Sequence, residues 1–393
     1  MCWERISLCF IMCSIFILSS CSKDEDTYEL SQEQYIVLKT VPSYAIIAHR
    51  GTGEWAPEGT EAAMRWARNV GATYLECDVR RTKDGYLVVF HNSRLKETSN
   101  IKNKFPNSEE KSIEDFTLEE LLTLDFGSWF NERNKTLARK SFINLDILTL
   151  EDVIKIAEGY RIKRDEQHKR IYTKVNEKII MQYEPDPADN GNRPGIYPET
   201  KSSELYPGIE LDIKNELERL GWYANNISEL KQIDVQPGKV STANTPARVI
   251  IQSLSEKSLS EFKKILPRLI PLCYLININK SATVTREQYE TWINTAIKSG
   301  AVILGPSVAG GIYDFNDMLL PWMHDLIKEK KMLIHAYTFN DEEQFTEYFD
   351  RADGFITGQV RLIKKALQLK SILAGPNSPY EQTESQILDN LGY

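Results

Sequence analysis

The segment Tyr74–His91, with the sequence YLECDVRRTKDGYLVVFH, decides the fold. It contains two strand-like runs, Tyr74–Arg80 and Leu87–His91, separated by the hairpin turn signal KDG at residues 83–85. A connection this short forces antiparallel pairing, because parallel neighbours need a crossover of about a dozen residues or more. The second run is therefore predicted to leave the main sheet as a β-hairpin.

Around this hairpin, short apolar runs alternate with segments of helical period from residue 44 to residue 370. Such alternation predicts βα units and a parallel sheet. With Leu87–His91 assigned to the hairpin, eight strands remain, which predicts an α/β fold of the (β/α)₈ TIM-barrel type. The eight predicted barrel strands are Tyr44–His49, Tyr74–Arg80, Gly195–Thr200, Arg248–Ser253, Cys273–Ile278, Ala301–Gly305, Leu333–Thr338 and Gly354–Thr357.

Two stretches interrupt the predicted barrel domain, which spans residues 43–370. Residues 92–117 extend the hairpin excursion after strand 2, and residues 160–194 form an inserted segment before strand 3. Both are expected to meet the barrel at the C-terminal ends of its strands, because long loops in compact domains usually act as lids or binding loops. Residues 371–393 are expected to form a C-terminal tail.

The N-terminus carries the features of an export signal. Residues 8–18 form an apolar run of eleven that follows Arg5, which is shorter than the roughly 20 residues needed to cross a bilayer. The run ends in the sequence LSSC at Cys21, which resembles a bacterial lipobox. This resemblance implies a signal peptide over residues 1–20, lipidation of Cys21, an acidic flexible tether over residues 21–42 and a place in the cell envelope, on the periplasmic or outer side. A plain secretory signal or an uncleaved anchor helix stays open.

The composition excludes several classes of protein. The chain has 393 residues, of which 41% are hydrophobic and 26% charged, as in a soluble globular protein. Its net charge of −8 argues against a nucleic-acid partner, which would require a basic patch. Only Cys77 and Cys273 follow Cys21, too few for a disulfide scaffold or a CxxC zinc site. The oligomeric state stays open.

Acidic residues recur on neighbouring predicted strands. Glu76 and Asp78 point to the same side of strand 2, because side chains alternate along a strand, and Glu199 lies near the end of strand 3. Burying unpaired carboxylates costs several kcal/mol, so these three need a cation. A hard divalent ion, Ca²⁺ or Mg²⁺, suits three carboxylates. We therefore predict that Glu76, Asp78 and Glu199 are metal ligands.

Two histidines and two cations complete the predicted site. His49 and His91 each end a strand, and imidazoles are suited to act as general base and general acid near neutral pH. Arg50 and Lys201 would offset the carboxylates and leave room for an anionic substrate, since Arg binds phosphate in a bidentate manner. Cleavage of a phosphodiester requires this set of roles.

The order of these motifs resembles the glycerophosphodiester phosphodiesterase family, over about residues 44–366. The resemblance implies a TIM-barrel hydrolase that converts a small-molecule glycerophosphodiester into an alcohol and sn-glycerol 3-phosphate. The GIYPETK segment at residues 195–201 is similar to the periplasmic, calcium-dependent branch, which favours Ca²⁺ over Mg²⁺. The motifs that carry the resemblance are His49-Arg50-Gly51, Pro57-Glu58, Thr60, Glu76–Val79, Lys83–Gly85, Val88–His91 and Tyr197–Lys201.

The resemblance also implies roles for single residues. By matching position, His49 and His91 are catalytic and Arg50 is the phosphate contact. The residues matching the metal ligands are Glu76, Asp78 and Glu199. Three further residues are assigned by their neighbourhood. Glu58 orients Arg50 through an ion pair, and Tyr337 forms part of the substrate pocket wall. Lys201 contacts the substrate phosphate or forms a structural pair with a carboxylate, and both roles stay open.

Three positions depart from the family pattern. Asn92 stands where aspartate is usual, Glu97 where arginine is usual, and Gly358 where aspartate is frequent. Two other functions therefore stay open. One is a phospholipase C-like or D-like hydrolase that acts on intact lipids with a similar two-histidine barrel. The other is a lipoprotein that binds the substrate in a site that has lost its catalytic activity. Asn92 and Glu97 are the residues that favour this second function.

Overall fold

The computed structural model describes residues 28–310, 315–373 and 382–393. The predicted signal peptide and Cys21 lie outside the described residues. Within the described ranges, every helix is too short or too polar to cross a membrane.

Eight parallel strands close into a barrel, as predicted. Around the barrel the order is β1, β14, β13, β12, β11, β10, β9 and β2, and β2 pairs again with β1. The strands of the described residues are β1 Ala45–Ala48, β2 Tyr74–Arg81, β3 Leu87–Val89, β4 Leu148–Thr149, β5 Tyr160–Ile162, β6 Tyr172–Val175, β7 Lys178–Met181, β8 Tyr183–Pro185, β9 Gly195–Thr200, β10 Ile251–Ser253, β11 Leu272–Ile276, β12 Ile303–Pro306, β13 Leu333–Phe339 and β14 Gly354–Thr357.

Helices on the outside of the barrel cover its apolar strands, and α2 and α6–α12 each lie between successive barrel strands or after the last one. Threonine side chains begin several of them; Thr149, for example, accepts a hydrogen bond from the main-chain N–H of Asp152 at the start of α6. The helices are α1 Gln32–Leu38, α2 Glu61–Val70, α3 Ile101–Lys104, α4 Leu118–Leu121, α5 Ser128–Arg133, α6 Leu150–Ala157, α7 Ile209–Arg219, α8 Glu256–Ile265, α9 Arg286–Lys298, α10 Pro321–Glu329, α11 Glu342–Tyr348, α12 Val360–Leu369 and α13 Glu384–Asn390.

The predicted hairpin is present and is larger than expected. β2 and β3 pair antiparallel, with Val79 opposite Val89, and β3 pairs antiparallel with β4. The chain between β3 and β4 packs around its own apolar cluster, which includes Phe90, Leu121 and Ile147. The excursion therefore runs well past the predicted boundary at residue 117 and returns to the sheet only at β4.

The segment 160–194 corrects one expectation. It begins after α6 and returns to the first residue of β9, so it leaves the barrel at the N-terminal ends of the strands, opposite to the predicted end. It forms two antiparallel pairs, β5 with β8 and β6 with β7. From there it reaches the excursion, where the main-chain N–H of Ile179 donates to the hydroxyl of Tyr86 at 2.7 Å.

Both predicted terminal extensions contain a helix where they are described. Within the predicted flexible tether, α1 is a capped helix, and Gln34 Nε2 donates to the main-chain oxygens of Ile297 and Ala301 at 3.0 and 3.1 Å. In the predicted tail, α13 packs beside the excursion, and Arg139 Nη1 donates to the main-chain oxygen of Tyr393 at 2.7 Å. Polar residues in these segments find partners on the barrel, which sequence pattern alone does not reveal.

Candidate active site

A cavity of about 140 Å³ opens at the C-terminal ends of the barrel strands. Its wall combines polar and charged residues with apolar and aromatic ones. The polar residues are His49, Arg50, Glu76, His91, Glu199, Lys201, Gln252 and Asn277, and the remaining lining residues are Leu254, Leu275, Phe315, Tyr337 and Ile356. The predicted residues Glu58 and Asp78 line a smaller adjoining cavity with Arg50 and His91.

A tight turn after β1 brings His49 and Arg50 into the site. Arg50 has a φ of 52° and Gly51 a φ of 78°, so two successive residues adopt the left-handed conformation. A Cβ on Gly51 would lie 2.7 Å from the main-chain carbon of Ala63 in α2, so only glycine fits there. The turn points the main-chain N–H of Arg50 at Glu76 Oε2, 2.7 Å away. This geometry explains why glycine follows His49 and Arg50.

The register of β2 and β9 assembles the carboxylates. Asp78 lies opposite Glu199 in this parallel pair, and Glu76 lies two residues earlier on the same side of β2. One carboxylate oxygen from each of Glu76, Asp78 and Glu199 lies within 4.8 Å of the others. All three side chains are buried. The three predicted metal ligands therefore converge, although their predicted role remains a proposal.

Two cations hold the acidic cluster together. Arg50 Nε lies 3.3 Å from Asp78 Oδ2, and Arg50 Nη1 lies 2.8 Å from Glu58 Oε2. Lys201 Nζ lies 2.9 Å from Glu199 Oε1 and 3.7 Å from Asp78 Oδ1. Glu58 thus contacts Arg50 as the sequence predicts, and Lys201 is placed between carboxylates at the rim of the cavity.

Burial and the neighbouring charges shift the pKa values of the three carboxyl groups. Burial, with repulsion from Asp78 and Glu199, raises the pKa of Glu76 well above its ordinary value. Burial also raises the pKa of Glu199, against the attraction of Lys201. Burial acts to raise the pKa of Asp78 too, but His91, Lys201 and Arg50 outweigh it and lower that pKa. The site therefore holds more negative charge than its own cations stabilise.

This imbalance fits a divalent cation. Three buried carboxylates within joint reach of one point supply hard oxygen ligands, and an ion there would remove the repulsion that keeps the pKa of Glu76 high. The donor set contains no thiolate, which argues against a soft metal. Glu76, Asp78 and Glu199 are the residues that would hold the ion.

The two histidines face the same cavity from different loops. Burial, together with the positive charge of Arg50, lowers the pKa of His49 well below its ordinary value. Burial lowers the pKa of His91 to about 4, although Asp78 opposes the shift. Both imidazoles are therefore neutral at pH 7 in this form of the protein, which is the state required of a general base.

Two lining residues were missed as site residues by sequence reasoning. Gln252 lies opposite Glu199 in the β9–β10 register and donates from Nε2 to Glu76 Oε1 at 3.0 Å. Asn277 Nδ2 donates to the hydroxyl of the predicted wall residue Tyr337 at 2.8 Å. The sequence could have identified both as site residues, because each is a polar residue at the carboxyl end of a barrel strand.

Comparisons with known proteins find relatives of one enzyme family. Residues 49–188 match the model of the glycerophosphoryl diester phosphodiesterase family. A glycerophosphodiester phosphodiesterase of Bacillus subtilis (strain 168) is 28% identical over 304 residues, which cover 77% of this chain and 79% of that protein. One from Caldanaerobacter subterraneus subsp. tengcongensis is 28% identical over 300 residues, covering 74% of this chain and 90% of its own.

Among solved structures, an Oleispira antarctica phosphodiesterase in complex with the product sn-glycerol 3-phosphate has the same fold. Its TM-score is 0.53 at 21% identity, and the match covers 83% of this chain and 97% of that one. Barrel, site and family match together define an enzyme of the phosphodiesterase class. Over residues 49–188 the chain is similar to the glycerophosphoryl diester phosphodiesterase family, and the relatives from Bacillus and Caldanaerobacter extend this similarity over 77% and 74% of its length.

Proposed function

We propose that the enzyme hydrolyses water-soluble glycerophosphodiesters to an alcohol and sn-glycerol 3-phosphate, with His49 and His91 as general base and general acid and with a divalent cation, Ca²⁺ in preference to Mg²⁺. The observation that carries this proposal is that two neutral imidazoles line the same cavity as Glu76 and Glu199, whose carboxylates converge with that of Asp78 in the adjoining cavity. The names of the relatives from Bacillus and Caldanaerobacter support the substrate class.

In this mechanism the chain's own residues bind the phosphate and move two protons. Arg50 and Lys201, both at the cavity wall, neutralise charge on the phosphoryl oxygens. One histidine, in its neutral form, deprotonates the attacking oxygen, either the 2-hydroxyl of the substrate's glycerol or a water. The other, which takes up a proton when the anionic diester binds, gives that proton to the departing alcohol. Attack by the internal hydroxyl gives a cyclic phosphate, which water then opens with the histidine roles exchanged.

The bound cation supplies Lewis-acid stabilisation of charge on the phosphoryl group. Gln252 and Arg50 orient Glu76 for this purpose through hydrogen bonds to its two different oxygens. Three carboxylates supply the oxygen ligands that Ca²⁺ accepts in a flexible arrangement, whereas Mg²⁺ demands a stricter geometry and usually binds through only one or two carboxylates.

We further propose that the protein is a lipoprotein anchored through Cys21 in the cell envelope. Helix α1 supports an orientation for it, because Gln34 binds main-chain oxygens at Ile297 and Ala301, just before β12 and thus at the N-terminal end of the barrel. Residues 22–27 span at most about 20–25 Å. The cavity would then open away from the membrane, which favours soluble diesters over lipids in the same bilayer.

The decisive experiment is turnover of a panel of substrates by purified protein lacking residues 1–20. Glycerophosphodiesters should release alcohol and sn-glycerol 3-phosphate with Ca²⁺, and chelation should abolish turnover reversibly. Faster turnover of intact phospholipid vesicles would instead establish the phospholipase alternative. Binding of a diester without release of alcohol would establish the capture alternative.

Anchoring is tested separately in cells that express the full chain. The measurement is phase separation of a detergent extract of these cells. Cys21→Ser should move the protein from the detergent phase to the aqueous phase, whereas Ser22→Ala should leave it in the detergent phase. Equal partition of the two variants would contradict lipidation at Cys21.

A further inference from the structure

Asn92 contacts the catalytic candidate that precedes it in the chain. Its Oδ1 lies 3.1 Å from His91 Nδ1, and its Nδ2 donates to the hydroxyl of Thr98 at 3.3 Å. Thr98 is buried in the loop that covers this side of the site. The amide is therefore held at both ends, with its oxygen towards His91 and its nitrogen towards Thr98.

An amide oxygen only accepts hydrogen bonds, so the contact requires a proton on His91 Nδ1. In neutral imidazole this leaves Nε2 as the basic nitrogen, on the opposite edge of a ring that lines the cavity. When His91 gains a proton, Nδ1 keeps its own, and the bond to Asn92 persists. The ring can therefore take up and release a proton at Nε2 without turning.

We propose that Asn92 is a positioning residue that fixes His91 in the Nδ1–H tautomer, so that His91 exchanges protons with the substrate through Nε2 alone. The kinetic part of this inference rests on the proposed function, whereas the tautomer does not. The position where the family usually carries aspartate would thus keep its acceptor oxygen and lose only its charge. Asn92 would then replace the usual aspartate in its function, and its presence would not indicate an inactive site.

The tautomer is tested by long-range ¹H–¹⁵N NMR on protein with ¹⁵N-labelled histidine, at a pH where its imidazoles are neutral. His91 is assigned from the spectrum of His91→Gln. We expect the signature of a protonated Nδ1 in the wild type and loss of that preference in Asn92→Leu. A wild-type spectrum with the proton on Nε2 would overturn the proposal whether or not the protein turns over a diester.

Kinetics provide the second measurement, with glycerophosphocholine and Ca²⁺. Asn92→Leu should lower kcat about 10–100-fold with KM within about threefold, the usual cost of losing a partner that orients a functional histidine. Asn92→Asp should stay within about threefold of the wild type, as should Ser93→Ala at the exposed neighbouring position. Wild-type kcat in Asn92→Leu would refute the kinetic role. If Asn92→Leu does not fold, Thr98→Val provides a second test, because it removes the hydrogen-bond partner of the amide nitrogen of Asn92. Thr98→Val should show the same loss of kcat, and an unchanged kcat would equally refute the kinetic role.

Discussion

The main-chain N–H of Arg50 donates to Glu76 Oε2 at 2.7 Å, and this single bond couples the turn after β1 to the acidic cluster on β2. Glu76 also accepts from Gln252 through its other oxygen, at 3.0 Å. The carboxylate is thus oriented from both sides while burial and its acidic neighbours raise its pKa. Without a cation, this buried carboxyl group destabilises the folded protein. A bound cation should therefore stabilise the fold strongly.

Glu76→Gln should separate stability from metal binding. Without metal, the variant loses a repulsive buried charge and should melt at or above the wild-type temperature. With Ca²⁺ at about 100 times the wild-type Kd, the wild type should gain roughly 2.7 kcal/mol by linkage, and the variant should gain much less. Thermal melts in EDTA and in Ca²⁺ measure both effects. Glu204→Gln, at an exposed position, is the control, and an equal Ca²⁺ response in Glu76→Gln would exclude this ligand.

Replacement of either cavity histidine should impair chemistry more than binding. His49→Ala and His91→Ala are each expected to lower kcat by about 10²–10⁴-fold, the range for loss of one acid or base. Steady-state release of glycerol 3-phosphate from a diester measures the effect. His324→Ala, on the surface of α10, serves as the control for loss of a histidine. Normal turnover by a cavity variant would remove that histidine from the mechanism.

A third histidine makes folding sensitive to acid. His335 is fully buried in β13, its Nδ1 lies 3.0 Å from the hydroxyl of Tyr197, and burial lowers its pKa to about 4. The unfolded chain binds this proton near pH 6.5, so it holds more protons than the folded chain between these values. The free energy of unfolding should therefore fall as the pH drops from about 6.5 to 4, with this residue contributing up to about 3 kcal/mol.

Urea unfolding of His335→Gln at several pH values checks this contribution. The variant should lose less stability on acidification than the wild type, because glutamine has no proton to gain, while His49 and His91 keep their own part of the effect. Ser93→Ala, which removes an exposed side chain that does not titrate, should follow the wild-type curve. Parallel curves for His335→Gln and the wild type would contradict the prediction.

The segment 160–194 depends on a buried ion pair. Asp186 accepts from Arg65 Nη2 at 2.7 Å and from Arg68 Nη2 at 2.5 Å, and both arginines belong to α2. Asp186→Asn removes the counter-charge that the two guanidinium groups share and leaves Arg68 only its longer contact with Asp189, at 3.5 Å, so it should cost about 3–5 kcal/mol in the free energy of unfolding. Glu290→Gln, in the exposed pair with Arg286, should cost less than about 1 kcal/mol. Similar losses in the two variants would show that burial of the pair is unimportant.

Local patterns were sufficient for much of the fold. β9 and β14 occupy the predicted residues Gly195–Thr200 and Gly354–Thr357, and the hairpin after β2 solved the strand count. Strand alternation also placed Glu76 and Asp78 on one face before any distance was known. These features depend on neighbouring residues and on turn chemistry, which a sequence displays directly.

Distances across the barrel needed the tertiary structure. Gln252 lies 176 residues from Glu76, and only the order of strands around the closed sheet brings the two side chains together. Likewise, the sequence of α1 predicts part of a polar tether. Only the tertiary structure shows that Gln34 donates hydrogen bonds to two main-chain oxygens on the barrel. The sequence by itself determined which residues could act and which way each strand presents them. Closure of the sheet decided which of them meet, because contact between distant segments depends on packing and strand order and not on spacing along the chain.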